Sequence, residues 1–362
     1  MAADTVHRRL NKYEWSENTS TKGGASPQPS GAVKEVLGSA MACSEKKVYL
    51  CGGYDPRTGR SLPQLMEFDL STKQWSKGLT LPERLRNASA VAFGDYCLVF
   101  GGWNDETYSK NLWLLAPKSQ DMAATNNKEP LISVWTLVRS TGLTPSARVC
   151  HSMVLGTMGG EEDASQNPVV YVFGGFDGER RLNDVWRLRL GPLLEKGEAT
   201  WELIEAKGGT PPSPRDDAAV AFDGINERIL VFGGFASCLQ SDLHILTLRG
   251  GENTWMCQPC LGVPSRRQGC VAAMSNGYLV VCLGEDEKGP IPQILQLSMA
   301  DFKWSLLSLE KEELSGRRGC VGCASERGKR IVVFGGGVPP KTHTSLLELE
   351  LEKSDASSSR KK

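Results

Sequence analysis

Histidine is scarce in this chain, and long apolar runs are missing. Only four histidines stand in 362 residues, at His7, His151, His244 and His343. They are scattered, with no HExxH pair and no two at metal-ligand spacing, which argues against a zinc-hydrolase centre. GxSxG and GxxxxGK[ST] are absent too, so neither a serine nucleophile elbow nor a phosphate-cradling loop is expected. No segment approaches eighteen consecutive apolar residues, which excludes a membrane-crossing helix. Charge of one sign is lacking as well: 42 basic residues face 42 acidic ones. Nothing in that balance attracts nucleic acid or an anionic membrane. The N-terminus, MAADTVHRRLNKYEW, has charges but no apolar stretch, so it does not read as a secretory signal. The eleven cysteines are therefore expected as reduced thiols, in a protein of the cytoplasm with the nucleus also open.

What is abundant is a paired glycine. It closes an apolar run at Gly52-Gly53, Gly101-Gly102, Gly174-Gly175, Gly233-Gly234 and Gly335-Gly336, after KVYLC, CLVF, VYVF, ILVF and IVVF. A sixth, lapsed copy reads VVCLG before Glu285, with Gly284-Glu285 holding the register. Self-similarity near fifty residues marks a propeller or a related array.

One unit shows why. In residues 215–258, DDAAVAFDG is small and apolar, as a crowded inner strand requires. NERILVFGG is a fully apolar second strand, DLHILTL a third, and ENTWMCQ a fourth carrying Trp255. Trp75, Trp135, Trp201 and Trp304 recur in the same phase, each an apolar plate to pack between blades. Four strands per unit describe one propeller blade. The last unit stops after SLLELELE, a third strand. The segment NKYEWSENTSTKGGASPQPSGAVKE matches TWELIEAKGGTPPSPRDD, which supplies the missing fourth. Residues 11–17 are thus expected to complete blade 6 and close the ring, because an open ring leaves two apolar blade faces uncovered.

The expected fold is all-β: a six-bladed propeller with four antiparallel strands per blade. Residues 1–10 form an extension, and blades lie near 35–78, 86–138, 148–206, 215–258, 267–308 and 318–351. Residues 352–362 form a polar, disordered tail. Insertions at 116–134 and 156–168 belong to one face of the ring.

Apolar run, glycine pair, spaced aromatic and late tryptophan together resemble the kelch-repeat family over nearly the whole chain. That resemblance implies a protein-binding propeller. It also implies that arginines at the start of inner strands touch peptide segments of partners. Arg86, Arg148, Arg215, Arg267 and Arg318 stand in that place, with Lys34 near it in blade 1. Arginine suits bidentate capture of carboxylate or phosphate, so an acidic or carboxylate-bearing segment is the expected partner. Tyr54, Trp103, Phe176 and Phe235 follow the glycine pairs and should share that face, with Asn104, Asp105 and Asp177 beside them. Aromatics and arginine are the usual anchors of a recognition surface. His151 follows Arg148 and is a further candidate contact.

A competing reading makes the arginines closure elements, paired to acidic side chains or loop carbonyls. His151 likewise has a plain reading as a buried structural side chain. Two CxxC pairs, Cys257/Cys260 and Cys320/Cys323, raise zinc. Strand residues three apart point to opposite faces, however, and neither pair has the required turn. Copper oxidases and iron proteins of similar blade architecture carry ligand sets this chain lacks. A metal-dependent propeller enzyme is therefore the remote alternative, and no cofactor or metal is implied. On this count 34 leading residues lie outside the repeats. That leaves no room for a BTB-type, F-box or coiled-coil module. The expected function is non-catalytic partner binding as a substrate adaptor or scaffold, with a cytoskeletal or trafficking scaffold as the alternative.

Overall fold

A computed structural model describes residues 10–14, 36–117, 133–158, 168–262, 264–307, 309, 316–317, 320–325, 328–338, 341–342 and 345–351. The expectations for Lys34, Arg318, His7, His343, most of both insertions and the tail lie outside these residues.

The inner strands are Ala40–Cys43, Ser89–Phe93, Ser152–Thr157, Ala219–Asp223, Val271–Ser275 and Val321–Ala324. Each heads an antiparallel sheet running strand one to strand four outward. Each inner strand contacts the next around the ring, and that of blade 6 contacts that of blade 1. Six small sheets thus form a six-bladed propeller. The inner strands are rich in alanine, serine and cysteine because six of them converge on one axis. The second strands are β-branched and apolar because both faces are covered.

The sixth blade is built from both ends of the chain. Leu10–Glu14 pairs antiparallel with Ser345–Glu350, Leu10 opposite Leu349 and Glu14 opposite Ser345. The observed outer strand begins one residue before the expected span. Glu348, 2% exposed, sits at the seam. Its carboxylate accepts from Tyr13 Oη at 3.0 Å and from Asn11 Nδ2 at 3.5 Å. It also meets Lys73 of blade 1 at 3.2 Å and Arg330 at 3.2 Å.

The core lies between blades rather than within them. Six apolar clusters each straddle two neighbouring blades. The tryptophans do the work expected of them. Trp201, Trp255, Trp304 and Trp75 meet Phe100, Phe173, Phe232 and Phe334 of the preceding blade, at 5.4, 6.3, 5.1 and 5.3 Å between ring centroids. Blade 1 ends its second strand in Cys51 instead of phenylalanine. Trp135 of blade 2 packs there and donates its indole N–H to the Leu79 carbonyl at 2.8 Å.

The glycine pair joins blades. Gly101 has φ +70°, and a Cβ on it would lie 2.6 Å from the Arg148 carbonyl of blade 3. Its neighbour Gly102 donates its N–H to that same carbonyl at 2.9 Å. Close approach and positive φ together demand glycine here. In blade 5 the register differs by one from expectation. Leu283, at φ +60°, takes the first position and Gly284 the second. Glu285 therefore stands where blades 1 to 4 place an aromatic.

Two features were not legible beforehand. A helix, Leu190–Lys196, interrupts blade 3 between its third and fourth strands. Arg139–Thr141, leaving blade 2, pairs in parallel with the outer strand of blade 3.

Candidate binding face at the channel mouth

Three of the five arginines are enclosed at blade junctions. Arg148 is 0% exposed. Its guanidinium grips Asp184 with both Nη atoms at 2.8 Å and donates to the Gly174 carbonyl of its own blade at 3.0 Å. Arg215 does the same with Asp242, at 2.7 and 3.0 Å, and with the Gly233 carbonyl at 2.9 Å. Arg267 reaches the Leu283 carbonyl at 3.2 Å and Ser265, with no carboxylate among the described residues. Burial lowers its pKa. In blade 6 this station belongs to Arg317, which donates to the Gly335 carbonyl at 3.0 Å. Arg318 follows it and lies outside the described residues. Arg148, Arg215 and Arg267 are thus enclosed rather than open at the mouth, each no more than 1% exposed.

Arg86 is the exception, and its position explains why. Leu85 occupies the buried station of blade 2, its carbonyl accepting from Gly53 N–H at 2.7 Å. Arg86 therefore stands one residue further on, in line with Leu37, Val149, Asp216 and Gln268. It is half-buried. Its Nη1 donates to the Gly59 carbonyl at 2.7 Å, and the guanidinium lies over the Tyr54 ring at 5.3 Å. A signal was present for three of the four enclosed arginines, Arg148, Arg215 and Arg317: an acidic or polar partner, Asp184, Asp242 or Ser345, follows the first glycine of their blade's pair by nine or ten positions.

His151 is likewise enclosed. It is 4% exposed and stands edge-on to Phe100 at 5.3 Å between blades 2 and 3. Burial, reinforced by the Arg148 charge, pushes its pKa down to about 3. It is neutral at physiological pH and lies inside the ring rather than on the rim.

The rim is aromatic, as expected. Tyr54, Trp103, Phe176 and Phe235 each pair through their backbone with the residue in line with Arg86: Leu37, Arg86, Val149 and Asp216. All four are half-buried. Tyr108, unforeseen, stands edge-on to Trp103 at 4.8 Å and to Phe176 at 6.1 Å. Arg181, also unforeseen, stacks over Phe235 at 4.5 Å and pairs with Asp216 at 3.0 Å. Asn104, Asp105 and Asp177 serve the loops. Asn104 and Asp177 accept turn N–H groups, and Asp105 ties blade 2 to Ser61 of blade 1.

Inside the rim is a throat built from backbone. Asn87 N–H donates to Gly38, Cys150 to Asn87, Asp217 to Cys150 and Gly269 to Asp217, at 2.7 to 3.0 Å. These residues all have positive φ, including Asn87 at 53°, Cys150 at 53° and Asp217 at 49°. The throat opens on a central channel of about 610 Å³. Burial pushes the Cys150 thiol well above its usual range, and the thiol donates to Asp217. Burial and the adjacent Asp216 push Asp217 up to about 7.

A carboxyl with a raised folded-state pKa favours folding while protonated. Between about pH 4 and 7 the folded state binds more protons than the unfolded one, so this group's contribution falls as pH rises through that window. Asp217→Asn is expected to raise the melting temperature by a few degrees at pH 8 and to leave it unchanged at pH 4. Differential scanning calorimetry at both values checks this, and a uniform shift would contradict the assignment.

The family model of the KLHDC2/KLHL20/DRC7 Kelch-repeats domain matches residues 3–190 and 131–336. The chain belongs to the kelch-repeat family. Among curated proteins, it is similar to acyl-CoA-binding domain-containing protein 5 of Arabidopsis thaliana. The two are 29% identical over 307 residues, covering 82% of this chain and 43% of that protein. It is 25% identical to Kelch domain-containing protein 3 of Mus musculus over 290 residues, covering 72% and 65%. Host cell factor homolog hcf-1 of Caenorhabditis elegans matches at 27% over 264 residues, covering 68% and 30%. The chain thus spans between about two fifths and two thirds of the length of the first two. Kelch propellers mediate protein interactions, and they are generally non-enzymatic. In this kelch ring the blade-closing machinery is repetitive while the mouth is not. Blades 1 to 4 present aromatics there, and blade 5 presents Glu285.

Proposed function

We propose that this kelch propeller is a non-catalytic interaction module that binds a peptide or loop of a partner protein on the aromatic rim, as adaptor or scaffold. The carrying observation is the arc Tyr54, Trp103, Phe176 and Phe235, half-buried at equivalent stations of four blades, with Tyr108 edge-on to Trp103 and Phe176 and with Arg86 and Arg181 stacked against it. Large rings held by their neighbours lose little entropy on binding, and aromatic and arginine anchors dominate interface energetics. The non-catalytic part rests on the channel chemistry. His151 is enclosed against Phe100, and Cys150 is held protonated beside a carboxylate, so neither presents a base or nucleophile. The buried arginines support the loops that carry the rim.

The test is quantitative affinity capture with Trp103→Ala, Phe176→Ala and Arg86→Ala. Each is expected to weaken capture by about tenfold or more, while the melting temperature shifts by no more than a few degrees. Undiminished capture by all three folded variants would remove the rim from the binding surface.

A further inference from the structure

The charge of the throat differs from what five arginines at the mouth would have made it. Asp217 lines the channel, and its carboxylate has one hydrogen-bond partner among the described residues, the Cys150 thiol. The charged groups that act on it are Asp216, Glu285 and Arg181. Arg181 is already bonded to Asp216, and Gln268 donates to Glu285. The nearby Arg215 is committed to Asp242. Among the described residues Asp216 is paired with Arg181, while no cationic side chain bonds the Asp217 carboxylate. The rim around it meets guanidinium groups face-on, Arg86 on Tyr54 and Arg181 on Phe235. Asp217 also stands at positive φ in the throat, where blades 1 and 5 have glycine.

We propose that the throat receives an arginine side chain of the partner, its guanidinium on the Asp217 carboxylate and its flanking residues on the aromatic rim. This rests on the rim reading and reverses the sign of the group expected from the sequence. A guanidinium supplies the cation that Asp217 lacks in the free protein, and charge-assisted bonds in an enclosed site are the strong ones.

The probes are the blocked peptides acetyl-Phe-Arg-Phe-amide, its leucine, glutamate and lysine counterparts, and Phe-Leu-Phe-amide with a free N-terminal amine. Binding is measured by isothermal titration calorimetry. The arginine peptide is expected to bind about tenfold or more tighter than the leucine and glutamate peptides. Its affinity should rise from pH 6 to pH 8 as Asp217 ionises. Asp217→Asn, which keeps a residue tolerant of positive φ, should abolish the preference while the weak binding of the leucine peptide persists. A preference for glutamate, equal binding of the lysine or free-amine peptides, no detectable arginine-peptide binding, or an unaltered preference in Asp217→Asn each overturn the proposal. Trp103→Ala separates the two readings. If it weakens all peptides and natural capture while the arginine preference is missing, the rim stands and the throat assignment falls.

Discussion

Removing residues 1–17 lowers the melting temperature of the entire domain by about 10 °C or more, because it opens the ring rather than trimming an end. Leu10 and Tyr13 leave the two apolar clusters that flank blade 6. Tyr13 stands 5.1 Å from Phe68 of blade 1, so its loss reaches across the seam. The third strand of blade 6 becomes an uncovered edge. Glu348 loses its hydrogen bonds from Tyr13 and Asn11, which costs about 1–3 kcal/mol. With the lost apolar contacts the total is on the order of 5 kcal/mol. Because each blade is stable only against its neighbours, the loss is shared around the ring. Thermal denaturation of the truncated protein checks this, with Glu348→Gln as a milder probe of the same seam. An unchanged melting temperature would mean the ring closes without its N-terminal strand.

Arg215→Ala destabilises the fold by about 3–5 kcal/mol, the usual consequence of breaking a buried ion pair. It strands Asp242, whose pKa burial alone would raise but which His244 and Arg215 together hold well below the usual carboxylate range. It also frees the Gly233 carbonyl, to which Arg215 Nη1 donates. The pair contributes stability above the unfolded carboxylate pKa, near pH 4, and loses it on acidification. Arg215→Ala should therefore flatten the acid side of the stability profile. Arg148→Ala should destabilise the fold similarly, since it breaks the buried pair with Asp184. Arg86→Ala, by contrast, should leave stability nearly unchanged, since its guanidinium bonds one loop carbonyl at a half-buried site. Chemical denaturation of the three variants separates the two classes. Similar stability losses for Arg86 and Arg215 would contradict the division between rim and staple.

Much of the architecture was legible because a propeller writes itself along the chain. The glycine pair, the apolar second strand and the late tryptophan each have one structural duty repeated in nearly every blade. A missing outer strand at one end and a surplus one at the other follow from counting. The channel mouth was less legible. Arg86 and Arg148 look equivalent in sequence, yet one residue of offset sends the first to the rim and the second inside, with Leu85 taking the buried station. The same offset makes Leu283 the partner of Gly284 and puts Glu285 among the rim positions. Asp217 and Arg181 carry no repeated signature at all, because neither recurs from blade to blade.

Repetition along the chain thus determined the six-bladed ring, its closure by an N-terminal strand and the place of the aromatics after the glycine pairs, since all of these depend on strand periodicity and spacing. Tertiary structure decided which charges are enclosed and which face the throat. Spacing places a residue on the chain, but burial and partner choice depend on how the loops of two adjacent blades meet. There Arg148 and Arg215 found Asp184 and Asp242, and Asp217, among the described residues, found the Cys150 thiol.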